Sequence, residues 1–238
     1  MIFISRLILK FKSCGDLKYS CINNYDIQGF IYSLLKDTDL SVYHNVKGFK
    51  FFNFSNIFPV SDFKIDEFKN LIISSPNDLL INVLKDSLSE VKVFRLNKYY
   101  FRLENITFLN SKVKSRVLTS TPIVLFENNR ENRYYSFKSN PDFNFYFNRL
   151  KDNALKKYNA FTGENFVLDG ELFSSFSFRK EVAVPISKKG EKFLIIGSLW
   201  SLLEFNINKE NKDFYQFLFD TGFGEKNSLG FGMLNNKR

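Results

Sequence analysis

The sequence predicts an α+β fold, because strand-like and helical segments alternate in the same order in both halves of the chain. Hydrophobic residues make up 44% of its 238 residues, which is enough for a packed core. The length fits one large domain or two small ones. The chain has two cysteines, which excludes a framework of several disulfides and predicts a reducing, cytoplasmic location.

Six segments of the first half have the pattern of a single structural unit. In order they are a strand at 2–11, a helix at 23–36, strands at 49–58 and near 67–74, a helix at 77–89 and a hairpin at 91–109. The helices carry apolar residues at i, i+3, i+4 and i+7, whereas the strands are runs rich in Ile, Leu and Phe. Asn77 suits the N-cap of the second helix. This order is typical of a ferredoxin-like domain.

The same order recurs in outline in the second half. There we expect a strand at 116–127, a helix at 142–159, strand-rich segments at 165–186 and 192–206, a helix at 208–219 and a short last strand. A polar, basic stretch near 110–116 separates the two runs. We therefore expect two tandem ferredoxin-like (RRM-like) domains, residues 1–112 and 113–238.

The most informative segment is a glycine-rich loop, Gly222-Phe-Gly-Glu-Lys-Asn-Ser-Leu-Gly-Phe-Gly232. Glycine lets a backbone come close to a phosphate, and exposed N–H groups in such a loop can bind an anion. A P-loop is excluded, because Gly230 is followed by Phe231 instead of lysine. A tight turn before the last strand is the alternative. The binding candidates are Gly222, Gly224, Lys226, Asn227, Ser228, Gly230 and Gly232.

Three segments together resemble one protein family. They are the glycine-rich loop with the apolar strand after it, Tyr43-His-Asn-Val-Lys-Gly-Phe-Lys-Phe-Phe-Asn-Phe-Ser55, and Ser120-Thr-Pro-Ile-Val124. The loop resembles the C-terminal signature of the CRISPR pre-crRNA-processing endoribonucleases, the repeat-cleaving members of the RAMP superfamily. The other two resemble the histidine segment of that family and the opening of its second domain. The resemblance spans essentially the whole chain and implies tandem ferredoxin-like domains that cut CRISPR repeat RNA into guide RNAs.

The net charge agrees with an RNA substrate. The chain has 34 Lys and Arg against 25 Asp and Glu, a formal charge of +9. Such an excess predicts a polyanionic partner, although a solvated basic surface is the simpler alternative. The candidate RNA contacts are Lys112, Lys114, Arg116, Arg130, Arg133, Arg149, Lys151, Lys156 and Lys157.

Candidate catalytic residues follow from the same resemblance. His44 is the one histidine of the chain, and imidazole titrates near neutral pH, which suits proton transfer, although a lone histidine is more often structural. The resemblance assigns catalysis to His44, Tyr32 and Lys50. By helical spacing Tyr32 lies roughly 130° from the apolar stripe of its helix. Tyr43 and Lys47 are rivals of Tyr32 and Lys50, and an exposed tyrosine and a solvated lysine are the simpler alternatives.

These side-chain types suit RNA cleavage without a metal. The ribose 2′-OH attacks the adjacent phosphorus and the 5′-oxygen leaves, giving a 2′,3′-cyclic phosphate and a 5′-OH. We assign proton transfer to His44, orientation or deprotonation of the nucleophile to Tyr32, and charge stabilisation to Lys50. Neither a metal nor a cofactor is expected, because the sequence has no His, Asp and Glu cluster at ligand spacing.

The alternative function is a non-catalytic RNA-binding protein of the same fold, which would use the same loop and charge. Assembly into a CRISPR effector complex and homodimerisation stay open at this point. No membrane partner is expected, because the apolar run at 2–11 is short and contains Arg6 and Lys10.

Overall fold

A computed structural model describes residues 5–41, 48–128, 131, 133–188 and 190–237. Within these ranges the strands are β1 (Arg6–Ser13), β2 (Asn53–Phe54), β3 (Phe68–Ser74), β4 (Val93–Leu96), β5 (Tyr99–Leu109), β6 (Arg116–Thr119), β7 (Phe126–Asn128), β8 (Arg133–Tyr134), β9 (Ser175–Lys188), β10 (Glu191–Glu204) and β11 (Leu234–Asn236). The helices are α1 (Asn24–Ser33), α2 (Asp78–Ser89), α3 (Phe143–Thr162) and α4 (Lys212–Thr221), and none of these four is long and apolar enough to cross a membrane. Four residues singled out from the sequence, Tyr43, His44, Lys47 and Arg130, lie outside the described residues.

The first sheet has the strand order β2-β3-β1-β5-β4, and every neighbouring pair is antiparallel. Without β4, this is the strand order of a ferredoxin-like sheet, so the predicted arrangement is confirmed. β4 is an additional edge strand that reaches β5 through the predicted turn at Asn97-Lys98. Alternate side chains of β1, Leu7, Leu9 and Phe11, are fully buried in one core with apolar side chains of α1 and α2.

The strand predicted at 49–58 is shorter in the structure, where β2 consists of two residues. Phe51 has a φ of 46°, a left-handed conformation that interrupts an extended backbone. The Ser75 hydroxyl donates to the carbonyl oxygen of Phe51 (2.6 Å), and the Phe51 ring contacts that of Phe161 with centroids 5.1 Å apart. Phe51 is therefore held by residues from both halves of the chain.

The second sheet has the order β9-β10-β6-β11 and is also antiparallel, which repeats the ferredoxin-like order. The strand predicted at 116–127 is divided into β6 and β7, because Pro122 between them has no N–H for a strand ladder. The strands of the first sheet lie between residues 6 and 109, and those of the second between 116 and 236. The division into domains 1–112 and 113–238 stays a prediction.

Arg6 joins β1 to the second half of the chain. Its side chain is 4% exposed, and its guanidinium donates to the carbonyl oxygens of Phe219 and Leu234, both at 3.0 Å, and to Oδ1 of Asn235 at 3.1 Å. Burial lowers the pKa of Arg6 to about 10, and the charge of Asp220 opposes that effect. Because these partners belong to α4 and β11, Arg6 fixes β1 against both elements that flank the glycine-rich loop.

Candidate functional site

The glycine-rich loop lies opposite the segment 48–51, with a cavity of about 190 Å³ between them. The residues that line it are Gly48, Phe49, Lys50, Phe51, Lys157, Gly224, Glu225, Lys226, Asn227 and Ser228. The structure thus brings Lys50 next to the predicted binding residues at 226–228. The segment that contains His44 directly precedes Gly48 in the sequence. A larger cavity of about 600 Å³ lies beside Asp220, and Lys112 is the one described candidate residue that lines it.

One face of α1 packs against the same loop. Asn24, Gln28 and Tyr32 are four residues apart, so their side chains lie on one face of the helix. The Asn24 amide donates to the carbonyl oxygen of Leu229 (2.7 Å), and the Gln28 amide donates to that of Ser228 (2.8 Å). The Tyr32 hydroxyl lies near the Ser228 side chain, which lowers the pKa of the phenol. Tyr32 therefore points away from the apolar stripe, toward the loop.

The surroundings of Tyr32 favour its protonated form. The side chain is partly buried, and its ring meets that of Phe52 edge-on with centroids 5.8 Å apart. Burial raises the pKa of Tyr32 above its ordinary value of 10.0, and the nearby Ser228 side chain opposes the effect. The hydroxyl keeps its proton at neutral pH, so it is suited to donate a hydrogen bond and poorly suited to act as a base.

Two lysines contribute cationic groups to the cavity. Burial lowers the pKa of both Lys50 and Lys226, and for Lys226 the charge of Glu225 opposes the effect. The Lys226 ammonium lies 5.5 Å from the ring centroid of Phe126 and 5.8 Å from that of Tyr134. These are cation–π distances, so the β7–β8 hairpin holds one wall of the cavity in place.

Geometry requires glycine at positions 224 and 232. Gly224 and Gly232 have φ angles of 69° and 75°, in the left-handed region that side chains disfavour. A Cβ added to Gly224 would overlap the carbonyl oxygen of Val124, and one added to Gly232 would overlap that of Phe223. Both glycines are therefore needed for the fold of the loop, as in the tight-turn alternative.

Three loop glycines use their N–H groups inside the protein. Those of Gly222, Gly230 and Gly232 each donate to a backbone carbonyl oxygen at 2.8 Å. Their amides are therefore engaged, unlike those of an open anion-binding loop. The partly exposed segment 226–228, which lines the cavity, is the part of the loop that is placed to meet a ligand.

Two buried side chains donate hydrogen bonds to the carbonyl groups of the loop, and the sequence predicted this role for neither. Lys157 of α3 is 1% exposed and donates to the carbonyl oxygens of Gly222 (2.8 Å) and Gly224 (3.0 Å). Asn53 of β2 donates to that of Phe231 (2.8 Å). The loop is thus fixed by polar side chains from both halves of the chain.

Lys157 does not lie on the surface, where the sequence analysis placed it as an RNA contact. The neighbouring Lys156 is exposed, so one lysine of the pair is solvated and the other is buried. Two adjacent lysines in a helix have the pattern of a solvated face, and their spacing alone does not show which one turns inward. For α1 a signal did exist, because Asn24, Gln28 and Tyr32 form a polar row at helical spacing.

The described part of the site offers cations, amides and a phenol. In the ranges that the structure describes, no group of three or more His, Cys, Asp and Glu side chains is placed to hold a metal ion. Ammonium and amide groups bind anions and donate hydrogen bonds, which suits a phosphodiester.

The sequence matches known relatives along almost its whole length. Residues 103–236 match the family model for the CRISPR associated protein Cas6, C-terminal. The chain is 44% identical over 237 residues to the CRISPR-associated endoribonuclease Cas6 2 of Methanocaldococcus jannaschii, covering 97% of this chain and 98% of the relative. It is 21% identical over 250 residues to the CRISPR-associated endoribonuclease Cas6 of Haloferax mediterranei, covering 97% of this chain and 93% of the relative.

Solved structures agree with these matches. A CRISPR associated protein Cas6 superposes with a TM-score of 0.73 at 25% identity, covering 98% of this chain and 99% of its own. A second structure, described as a RAMP protein binding different RNA substrates, has a TM-score of 0.70 at 20% identity and covers 98% and 100%, which supports the fold alone. The family resemblance seen in the three sequence segments is thereby confirmed. The chain belongs to the Cas6 family of CRISPR-associated endoribonucleases.

Proposed function

We propose that this endoribonuclease cleaves CRISPR repeat RNA in the cavity between the segment 48–51 and the glycine-rich loop. The observation that carries the proposal is the cavity itself, which joins Lys50 from the first half of the chain to the segment 226–228 from the second. The net charge of +9 suits a polyanionic substrate. The sequence supplies one imidazole, His44, just before this wall of the cavity.

The proposed reaction is a transesterification that needs no metal. The 2′-oxygen bonds to the adjacent phosphorus while the bond from phosphorus to the 5′-oxygen breaks, which leaves a 2′,3′-cyclic phosphate and a 5′-OH. One proton leaves the 2′-OH and one reaches the 5′-oxygen. His44 is assigned to this proton transfer, because imidazole exists in both protonation states near neutral pH.

Tyr32 and Lys50 have supporting roles in this proposal. Because burial raises the pKa of Tyr32, its hydroxyl orients the nucleophile or the phosphate by donating a hydrogen bond, instead of deprotonating it. The Lys50 ammonium stabilises the negative charge that develops on the phosphate. Tyr43 and Lys47 are the competing assignments, and cleavage rates of Tyr43→Phe and Lys47→Ala beside Tyr32→Phe and Lys50→Ala decide between them.

The RNA strand is proposed to run along the glycine-rich loop. Its direct contacts are assigned to Lys226, Asn227 and Ser228, which are partly exposed at the cavity. Gly222, Gly224, Gly230 and Gly232 are buried and contribute by giving the loop its shape. A cytoplasmic location belongs to the same proposal. Homodimerisation and assembly into a CRISPR effector complex are separate proposals, tested by sedimentation with and without product RNA and by co-purification from cells.

A cleavage assay in EDTA beside a binding assay tests the function. We expect purified protein at neutral pH to cut a repeat RNA once, leaving a cyclic phosphate on the upstream fragment. RNA with a 2′-deoxy sugar at the cut position should bind and stay intact. Tight binding with every repeat RNA left whole would favour the alternative, a non-catalytic RNA-binding protein. Cleavage that appears only after Mg²⁺ is added would contradict the metal-independent mechanism.

The assignment of His44 is tested by His44→Ala. We expect the single-turnover cleavage rate to fall by about 10²–10⁴-fold, the usual contribution of general acid–base catalysis. Affinity for the 2′-deoxy RNA should stay close to that of the wild type, because the phosphate contacts are unchanged. A variant that cleaves at the wild-type rate would place the catalytic centre elsewhere.

A further inference from the structure

Lys157 is a buried cation at the back of the candidate cavity. Its ammonium donates to three acceptors: the carbonyl oxygens of Gly222 (2.8 Å) and Gly224 (3.0 Å), and Oδ1 of Asn227. An ammonium group has three N–H donors and no acceptor, so each proton has a partner. Burial lowers the pKa of Lys157 to about 7, and the charge of Glu225 opposes this effect.

The acceptors of Lys157 lie along most of the loop. Gly222 begins it and Gly224 follows the first aromatic residue. Asn227 extends the network, because its side-chain amide donates to the carbonyl oxygens of Phe223 and Phe231, both at 2.9 Å. One ammonium therefore ties the incoming and outgoing arms of the loop together through a single asparagine.

The segment that this network holds is the one that faces Lys50. Residues 226–228, the segment 48–51 and Lys157 all line the same cavity. If the ammonium is removed, the carbonyl oxygens of Gly222 and Gly224 lose their donor, and the loop has to move to find another. Such a movement changes the distance between Lys50 and the loop.

We propose that Lys157 is a positioning residue for RNA cleavage, whose ammonium holds the glycine-rich loop at the distance from Lys50 that the scissile phosphate requires. This inference rests on the proposed function, because it assumes that RNA is cut in this cavity. Lys157 does not touch the substrate in this arrangement and acts through the loop.

Lys157→Met tests the proposal, because methionine has a similar length and volume but no donor. Lys209→Met is the matched control, since Lys209 is an exposed lysine that is not among the candidate RNA contacts. We expect Lys157→Met to lower the single-turnover rate at saturating RNA by about 10–100-fold, the size that a misplacement of about 1 Å can produce. Its affinity for 2′-deoxy repeat RNA should change far less, because the rest of the basic surface still binds. Lys209→Met should cleave at the wild-type rate.

A second variant covers the case in which Lys157→Met does not fold. Asn227→Ala removes the third acceptor at a partly exposed position, so the single-turnover rate at saturating RNA should fall. Its RNA affinity should fall as well, because Asn227 is assigned a direct RNA contact, and the rate is therefore measured with all of the protein bound to RNA. Where both variants fold, the cleavage rate of the double variant should fall by less than the product of the two single fold-changes, because both substitutions break the same hydrogen-bond network. Circular dichroism and thermal melting give the folded fraction to which the rates are normalised.

The proposal fails if folded Lys157→Met cleaves like the wild type, or if its rate falls only in step with its RNA affinity. If that variant is unfolded, an Asn227→Ala variant with an unchanged rate overturns the proposal instead. His44→Ala separates this failure from failure of the proposed function. An inactive His44→Ala with an active Lys157→Met rejects the positioning role alone, whereas a fully active His44→Ala rejects the site itself.

Discussion

Tyr32 and Asp220 are two side chains whose pKa values burial raises, with different consequences. For Tyr32 the shift preserves a proton beside the glycine-rich loop. Asp220 is 4% exposed at the end of α4, and burial raises its pKa to about 6, with Gln216 and Arg6 opposing the effect. Its charged form is therefore disfavoured by folding at neutral pH.

Tyr32→Phe is expected to lower the cleavage rate by about 10–100-fold through loss of an orienting hydrogen bond. Because burial raises the pKa of the phenol, the wild type and the variant should have pH–rate profiles of the same shape between pH 6 and 9. Single-turnover rates across this range make the comparison. A rise in rate toward pH 9 that the variant lacks would instead assign Tyr32 as the base.

Asp220→Asn is expected to stabilise the protein at pH 7.5 and not at pH 4. The pKa of Asp220 is about 6 in the folded protein, above the ordinary value of 3.8. Below the unfolded pKa the carboxyl group is protonated in both states and does not lower the free energy of unfolding. As the pH rises through 6 the folded protein has to hold the buried group in its charged form, and stability is lost. Asparagine imitates the protonated form, and the gain in unfolding free energy at pH 7.5 should be about 1–3 kcal/mol. Denaturant titrations at both pH values measure it, with the exposed Asp213→Asn as control. An equal change at pH 4 would refute this account.

At the scale of elements, the glycine-rich loop contains backbone positions that require glycine and side chains that line the cavity. Its glycines are buried, whereas Lys226, Asn227 and Ser228 are partly exposed. The 3₁₀ turn Asn227–Leu229 contacts α1 through the amides of Asn24 and Gln28. The positions that stabilise the loop and those proposed to contact RNA are therefore different residues of this one loop.

Gly224→Ala is expected to destabilise the protein, because the new Cβ meets the carbonyl oxygen of Val124 and because φ is positive. Backbone strain of this kind costs about 1–3 kcal/mol, to which the overlap adds. Thermal and denaturant unfolding measure the loss, with Gly15→Ala as the control because its added Cβ has nothing within 4 Å. An unchanged melting temperature with weakened RNA binding would instead support direct contact of this glycine with phosphate.

Local patterns in the sequence were sufficient to predict the helices and the hairpin, but they did not predict the contacts between distant residues. The apolar spacing of α1 and α2 and the turn at Asn97-Lys98 are local, so both helices and the hairpin were predictable. The shortening of β2 depends on Phe51, whose left-handed backbone is held by Ser75, a distant residue. Inward-facing cations such as Arg6 have the same sequence pattern as solvated ones, so their burial was not predictable.

At the scale of the whole molecule, several basic side chains are already engaged. Arg116 pairs with Glu204 (2.9 Å) and Arg133 pairs with Glu127 (2.8 Å). The exposed Lys112 and Lys114, in contrast, lie in the stretch between the two sheets. Because they are exposed, they are able to displace counterions from RNA.

Affinity for uncleavable repeat RNA is expected to fall at least about tenfold between 50 and 200 mM salt, because bound lysines displace counterions. Replacing both Lys112 and Lys114 by alanine should reduce the slope of log affinity against log salt by about two. Lys18→Ala is the control, since Lys18 already pairs with Asp62 (2.8 Å). Filter binding over a salt series measures the slope, and a flat wild-type series would remove the electrostatic argument.

The attachment of the glycine-rich loop to both halves of the chain has a consequence for synthesis. Asn24, Gln28 and Asn53 precede the loop in the sequence, and so does Lys157. Every side chain in this set is therefore translated before the loop that it holds. If RNA is cut in the proposed cavity, a nascent chain that still lacks residues 222–232 has no wall opposite Lys50 and is expected not to cut RNA. On the proposed mechanism, cleavage therefore requires that the loop and the segments that hold it have all been translated.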